Sequence, residues 1–262
     1  MSRLETLAGP VRALVTGGSG GLGSEVCRAL AACGASVAVG CHTRRALAEE
    51  LAQQLASGGN RALAVCFDVA DTGKARQGVD AAAAALGGLD VVVNAAACNT
   101  DGLLANLGSE QIARMYAVNV GGTLNVIRAV LPHLLASGGG RIVNFSSVLA
   151  GRSAPGAVGY VSTKGAVEAL TRALATELGP KRICVNTVAP GLIDAGLGRE
   201  PVRRIGVAVR GLVPLRRAGT AAEVAAAVAF LASPTASYVT GALLAVDGGL
   251  SAGFPQSAEI PK

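Results

Sequence analysis

From Arg12 to Gly34 the chain reads RALVTGGSGGLGSEVCRALAACG, a stretch that leaves little choice of local architecture. A short apolar strand runs into a glycine turn, and an amphipathic helix follows until Gly34 stops it. The same unit then recurs. ASVAVGC is a second strand, and RRALAEELAQQLAS a helix ended by Gly58 and Gly59. ALAVCFDV is a third strand, GKARQGVDAAAAALGG a third helix, and LDVVVNAAA a fourth strand whose nearly continuous valines predict burial on both faces. A long helix is expected from about Ser109 to Ser137, bent near Gly121–Gly122 or Pro132. GRIVNFSS, RICVNTVAP and GALLAVDGG supply three more strands, separated by the helix that carries GYVSTKGAVEAL, a Gly- and Arg-rich excursion from about Gly191 to Gly219, and the helix AAEVAAAVAFLAS. Such alternation predicts an α/β fold: one doubly wound, parallel, seven-stranded sheet with helices on both faces and right-handed crossovers. No linker or short-period repeat interrupts it, so residues 1–262 are expected to form a single domain.

Composition agrees with a well-buried core. Hydrophobic residues make up 51% and charged ones 15%, while aromatics are 3%, so Ala, Val, Leu and Gly must pack closely. The 23 Lys and Arg against 17 Asp and Glu give a net charge of +6, and only four of the cations are lysines. Arginine suits bidentate contact with phosphate or carboxylate, which fits an anionic coenzyme or carrier as well as a merely basic surface. Neither a stacking series of aromatics nor a dense basic block is present, which argues against nucleic acid. The six cysteines and two histidines, His42 and His133, show no metal-ligand spacing, so no metal is expected and the thiols are read as reduced. The start of the chain lacks a secretory pattern, and no run approaches the roughly 20 apolar residues of a bilayer span. A soluble, cytoplasmic protein is the expectation.

TGGSGGLG lies where the first strand hands over to the first helix. Gly17, Gly21 and Gly23 would let the backbone approach a pyrophosphate at a helix N-terminus, although tight strand–helix turns also use glycine for its own sake. An acid at the end of the second strand would bind the adenosine ribose and repel a 2′-phosphate. Cys41 stands there instead, followed by His42, Thr43, Arg44 and Arg45. Two guanidiniums and no carboxylate predict NADP(H), the alternative being solvated charges at a helix start. Asp68, ending the third strand, is placed to meet the adenine amino group, or to cap a turn.

Tyr160 and Lys164 are four residues apart and share a helix face. An ammonium beside a phenol is expected to lower its pKa, so that the phenol exchanges a proton with a carbonyl oxygen as hydride moves. Alone, the pair is a cheap signal. Ser147, however, ends the preceding strand 13 residues earlier, and Asn119 lies 28 residues before Ser147.

Together with TGGSGGLG, VVNAAA and VAPG, these positions resemble the short-chain dehydrogenase/reductase family across nearly the whole chain. Within it, NTDGLL, RIVNFSS, RICVNTVAPG and TGALLAVDGG are most similar to β-ketoacyl-(acyl carrier protein) reductases. The resemblance implies a tetrad in which Tyr160 is the general acid/base and Ser147 binds the substrate oxygen. Lys164 would hold the nicotinamide ribose and Asn119 a water feeding a proton relay. It further implies coenzyme contacts from Gly17, Ser19, Gly20, Gly21, Leu22 and Gly23, from His42, Thr43, Arg44 and Arg45, and from Asp68 and Val69. Asn94, Ala95, Ala96, Tyr160, Lys164, Pro190, Gly191 and Ile193 complete that set. Three departures stand out. Ala95–Ala97 replace a motif that ends in glycine, Ala195 stands where a threonine is frequent, and Gly20 where an arginine is often found.

Residues of about 191–219 fall where the family has its substrate lid, and about 251–262 form a tail. Lys181 and Arg182 occupy a turn where related reductases offer cations to acyl carrier protein. The implied function is NADPH-dependent reduction of a β-ketoacyl thioester, in fatty-acid or polyketide assembly. The alternatives are an oxidoreductase of a free small ketone or secondary alcohol and, less consistent with an intact tetrad, a dinucleotide-binding sensor. Relatives are commonly tetramers, and ASYVTGALLAVDGGL is compatible with such a contact.

Overall fold

Seven strands lie side by side, all parallel: β1 (Arg12–Thr16), β2 (Ser36–Cys41), β3 (Ala62–Cys66), β4 (Val91–Asn94), β5 (Gly140–Phe145), β6 (Ile183–Pro190) and β7 (Leu243–Val246). The computed structural model describes residues 5–6 and 9–253, so the part of the expected tail beyond residue 253 lies outside the described residues. The order across the sheet is β3-β2-β1-β4-β5-β6-β7. Progress along the sheet therefore reverses between β1 and β4, where Thr16 pairs with Asn94. In open α/β sheets the crevice outside the strand C-termini at such a reversal is where ligands bind.

Alternation along the strands builds two cores. Val15, Val37, Val39, Val91 and Val93 pack on one face with Val26 and Leu30 of α1 (Gly21–Ala32), Leu51 of α2 (Arg45–Ser57) and Val228 of α9 (Ala221–Ala232). Leu14, Val92, Ile142 and Val185 pack on the other with Val79 of α3 (Thr72–Leu86), Val130 of α5 (Gly122–Ala136) and Leu178 of α6 (Val158–Leu178). A one-residue slip in any strand would exchange its core and opposite faces, so these apolar positions also fix register.

The long helix expected from Ser109 to Ser137 is α4 (Ser109–Tyr116) running into α5 through a π turn at Ala117–Gly121. The interruption thus starts before the glycine pair and lies well before Pro132. In the excursion after β6, two short helices form, α7 (Arg199–Ile205) and α8 (Val209–Leu212).

One expectation is corrected. Cys41 and Cys66 are not free thiols but a disulfide, with Cα atoms 4.7 Å apart. They are the last residues of neighbouring strands and face each other in the ladder, a proximity that their separation in sequence conceals. Cys27, Cys33, Cys98 and Cys184 are free. Among the described residues no helix is long and apolar enough to cross a membrane, and no cluster of His, Cys, Asp or Glu could hold a metal.

Candidate active site

The C-terminal edge of the sheet gathers most of the residues singled out in the sequence. Thr16 leads into the glycine turn, Cys41 into His42–Arg45, Cys66 into Asp68 and Val69, and Asn94 into Ala95–Ala97. Phe145 leads into Ser146 and Ser147, and Pro190 into Gly191 and Ile193. At the first of these, Gly17 has φ +64, and a Cβ there would lie 2.9 Å from the Ala96 backbone. A Cβ at Gly23 would lie 2.2 Å from the Gly17 carbonyl oxygen. Both positions require glycine, one for its conformation and close approach, the other for the packing of α1 beneath the turn.

α1 begins with Gly20 as its N-cap, without a side-chain cap or an acidic residue in the first turn. By contrast, Asp71 caps α3 and Thr220 caps α9. The first N–H groups of α1 are thereby left for an anion, and their positive dipole end favours one. Asn94, buried on β4, donates to Asn144 Oδ1 at 2.9 Å while its own Oδ1 has no partner among the described residues. A close backbone cradle, an uncapped helix and the cations after β2 fit a dinucleotide diphosphate.

Just beyond β3, Asp68 accepts from the Ala70 N–H at 2.9 Å and lies 3.7 Å from His42 Nε2 and 3.6 Å from Arg114 Nη2. Burial alone would raise its carboxyl, but the Ala70 N–H, His42 and Arg114 act the other way and hold it below the usual carboxylate range. Arg114, on α4, escaped the sequence reading because nothing local ties it to the end of β3.

The first turns of α6 carry Tyr160 and Lys164. Lys164 is 3% exposed, donates from Nζ to the Phe145 carbonyl at 2.8 Å, and has that nitrogen 5.5 Å from the Tyr160 ring centre. Burial brings its pKa down to about 8. The expectation that Lys164 draws the phenol down is not met in this structure. Burial pushes Tyr160 up to about 12, and the charges of Asp101 and Cys98 act in the same direction. The ammonium lies over the ring and is already bonded to the Phe145 carbonyl, and with its own pKa down at about 8 it no longer carries a charge where the phenol titrates.

Asn119 sits in the π turn, a feature that often marks functional sites. Its Oδ1 accepts from the Cys98 N–H at 2.9 Å, and its Nδ2 donates to the Cys98 carbonyl at 2.9 Å and to Thr163 Oγ1 at 3.0 Å. Thr163 in turn donates to the Tyr160 carbonyl at 2.7 Å. Asn119 thus clamps the loop after β4 to the turn that carries Tyr160. Ser147 is extended and accepts from the Leu149 N–H at 3.2 Å. Its neighbour Ser146 donates to Glu168 Oε1 at 2.7 Å, tying the end of β5 to α6. Thr163 and Glu168 were also missed, since their partners Asn119 and Ser146 lie far away in sequence and meet them only in the fold.

The alanines replacing the glycine motif are unstrained, because Arg182 and Arg216 are the only non-glycine residues at positive φ among those described. Lys181 and Arg182 do not join the site. They precede β6, at the opposite edge of the sheet from Pro190 and Gly191. A cavity of about 320 Å³ lined by Leu103, Leu104, Pro155, Val158 and Val161 flanks the start of α6, but its lining includes none of Asn119, Ser147, Tyr160 and Lys164.

Residues 17–251 match the family model described as enoyl-(acyl carrier protein) reductase. The short-chain reductase protein NovJ of Streptomyces niveus is 37% identical over 244 residues, covering 90% of this chain and 92% of that protein. The 3-oxoacyl-[acyl-carrier-protein] reductase FabG of Pseudomonas aeruginosa is 36% identical over 238 residues, with coverage of 91% and 96%. Among solved structures, a gluconate 5-dehydrogenase from Burkholderia cenocepacia in complex with NADP and tartrate superimposes with a TM-score of 0.89 at 32% identity, over 96% of this chain and 98% of that one.

Proposed function

The chain belongs to the short-chain dehydrogenase/reductase family, and from that premise we propose that it reduces the ketone of a β-ketoacyl thioester, on CoA or acyl carrier protein, to a secondary alcohol. It is an oxidoreductase of the CH–OH/ketone class, and its coenzyme is NADP(H). NADP(H), when bound, supplies the hydride in reduction and accepts it in reverse. Gly17 to Gly23 would hold its diphosphate, and His42, Thr43, Arg44 and Arg45 its adenosine phosphate. Asp68 and Val69 would line the adenine, while Asn94, Ala95, Ala96, Pro190, Gly191 and Ile193 would flank the nicotinamide half.

The observation that carries this reading is the pairing of half-buried Tyr160 with buried Lys164 at the C-terminal edge of the sheet. A phenol that stays protonated to about 12 is a proton donor at every working pH, which suits reduction. Tyr160 would give its proton to the carbonyl oxygen as charge develops there, with Ser147 Oγ donating to the same oxygen. Lys164, still charged below about 8, would bind the ribose hydroxyls and return a proton to Tyr160. Asn119 would hold the loop after β4 and the Tyr160 turn in register, next to any water feeding Lys164.

The 191–219 excursion is the proposed lid. Leu197, Val207 and Leu215 are exposed on it and would meet an acyl chain on closure. A carrier would dock through Lys181 and Arg182, a strand's length from the reaction edge. A homotetramer in the cytoplasm completes the proposal, supported by the exposed Tyr238, Leu243 and Phe230 on and beside the edge strand β7. Similarity to a gluconate 5-dehydrogenase favours a second reading, a free polar ketone or alcohol. NADPH oxidation with acetoacetyl thioesters and with free ketones separates the two. A kcat/KM for the thioester at least about tenfold above any free ketone is expected, and the reverse order overturns the thioester. Reversing the charge of Lys181 and Arg182 should raise KM for carrier-bound substrate only, and no change removes the carrier.

A further inference from the structure

β3 is an edge strand held by β2 alone, and the loop beyond it carries Asp68. The Cys41–Cys66 disulfide closes the last rung of that ladder. The backbone around the bridge leads into the segments that the reading above assigns to the adenosine end of the coenzyme site. Gly18, in the glycine turn, donates its N–H to the Gly40 carbonyl at 2.7 Å, one residue before the bridge. Phe67 donates its N–H to the Cys41 carbonyl at 2.8 Å, fixing the first residue after β3. His42 follows Cys41, and its ring lies 3.7 Å from Asp68, which also faces Arg114 of α4.

We infer that Cys41 and Cys66 are positioning residues whose disulfide sets the adenosine end of the NADPH site, so that coenzyme affinity depends on the thiol redox state. The inference rests on the coenzyme reading above. With the bridge closed, the His42 and Asp68 loops share one covalent frame, and less ordering remains for NADPH binding to impose. The bridge opens by exchange with a dithiol. One dithiol sulfur, as thiolate, attacks Cys66, the more exposed partner, and Cys41 leaves as a thiolate that takes a proton. The second dithiol sulfur then displaces Cys66, also as a thiol. Cys41 and Cys66 gain two electrons and two protons, and the dithiol is oxidised to its cyclic disulfide. Closure is the reverse exchange with such a disulfide.

The test uses the full-length chain equilibrated with oxidised or with reduced dithiothreitol. Alkylation under denaturing conditions, read by mass, should label the four free cysteines in the oxidised protein and all six in the reduced one. The Kd for NADPH, from nucleotide fluorescence, should rise about fivefold on reduction, with kcat at saturating NADPH unchanged. Cys66→Ser should show the weaker Kd in either buffer and lose its response to the dithiol. Six labels in the oxidised protein, or equal Kd values in the two states, overturn the inference and leave the coenzyme reading standing. Failure of NADPH to bind in either state overturns both.

Discussion

At the N-terminal edge of the sheet, where β1 and β4 begin, Arg12 and Asp90 are matched group for group. Asp90 is 5% exposed and accepts from the Arg12 backbone N–H at 2.9 Å, from Nε at 2.8 Å and from Nη2 at 2.7 Å. At the C-terminal ends of the same two strands the pattern is opposite. The glycine turn approaches Ala96 too closely for a side chain, α1 has no side-chain cap, Asn94 keeps a lone oxygen and a lysine is buried beside a phenol. One edge spends its polar groups on each other. The other holds them back at a cost in stability, and that unspent capacity is what a ligand and a reacting oxygen can use.

The comparison breaks most sharply at Tyr160. Tyr160→Phe removes only the hydroxyl, and it should lower kcat/KM for the best ketone by about a hundred- to ten-thousand-fold while Tm stays within about 2 °C. A protein that unfolds instead would place Tyr160 with the structural edge. Asp90→Ala is the converse. It leaves the Arg12 guanidinium only the Gly87 carbonyl and Ser137 Oγ as partners and should cost about 2–4 kcal/mol in chemical denaturation, with KM and kcat of the folded protein intact.

Much of this was legible in the sequence, for physical reasons. Strand and helix order followed from alternating apolar runs punctuated by Gly34, Gly58 and Gly87, each of which lies at or just past a helix end. The Tyr160–Lys164 pair could be read because helical spacing fixes who shares a face. What escaped depends on distance across the sheet. Cys41 and Cys66 meet only through the register of β2 and β3. Arg114 reaches Asp68 across two loops, and the π turn at Asn119 is one extra residue per turn that composition does not announce. The phenol's pKa escaped as well, because spacing shows a lysine nearby but not the burial that raises the phenol and lowers the lysine.

Lys164 sharpens the comparison next. Burial brings it from an ordinary 10.5 down to about 8, so the folded chain binds this proton less tightly than the unfolded one. The penalty is present in full below pH 8 and is relieved as pH rises from about 8 towards 10.5, so this site makes stability climb through that window. Lys164→Met should therefore abolish turnover yet raise stability at pH 7 by roughly 1–3 kcal/mol, with the gain shrinking by pH 10. Urea melts at the two pH values check it, and a loss of stability at pH 7 would mean the ammonium is a net structural asset. The same proton predicts that ketone reduction declines above a pH of about 8, with no separate tyrosine limb until about 12.

The smallest effect divides two adjacent arginines. Arg45, the first residue of α2, has Nη1 3.3 Å from Glu49 Oε1, so part of its charge is already answered one turn along the helix. Arg44, the N-cap, forms no ion pair among the described residues and stands directly after His42 and Thr43 at the C-terminal edge of the sheet. An unpaired guanidinium gains more from a 2′-phosphate than one that must first give up a carboxylate. Arg44→Ala should therefore raise KM for NADPH by about tenfold and leave KM for NADH unchanged, whereas Arg45→Ala should cost NADPH about threefold or less. Steady-state kinetics with both coenzymes decide it. Equal losses for NADPH and NADH in Arg44→Ala would mean that this residue supports the loop and does not read the phosphate, and the selectivity would then fall to His42 and Thr43.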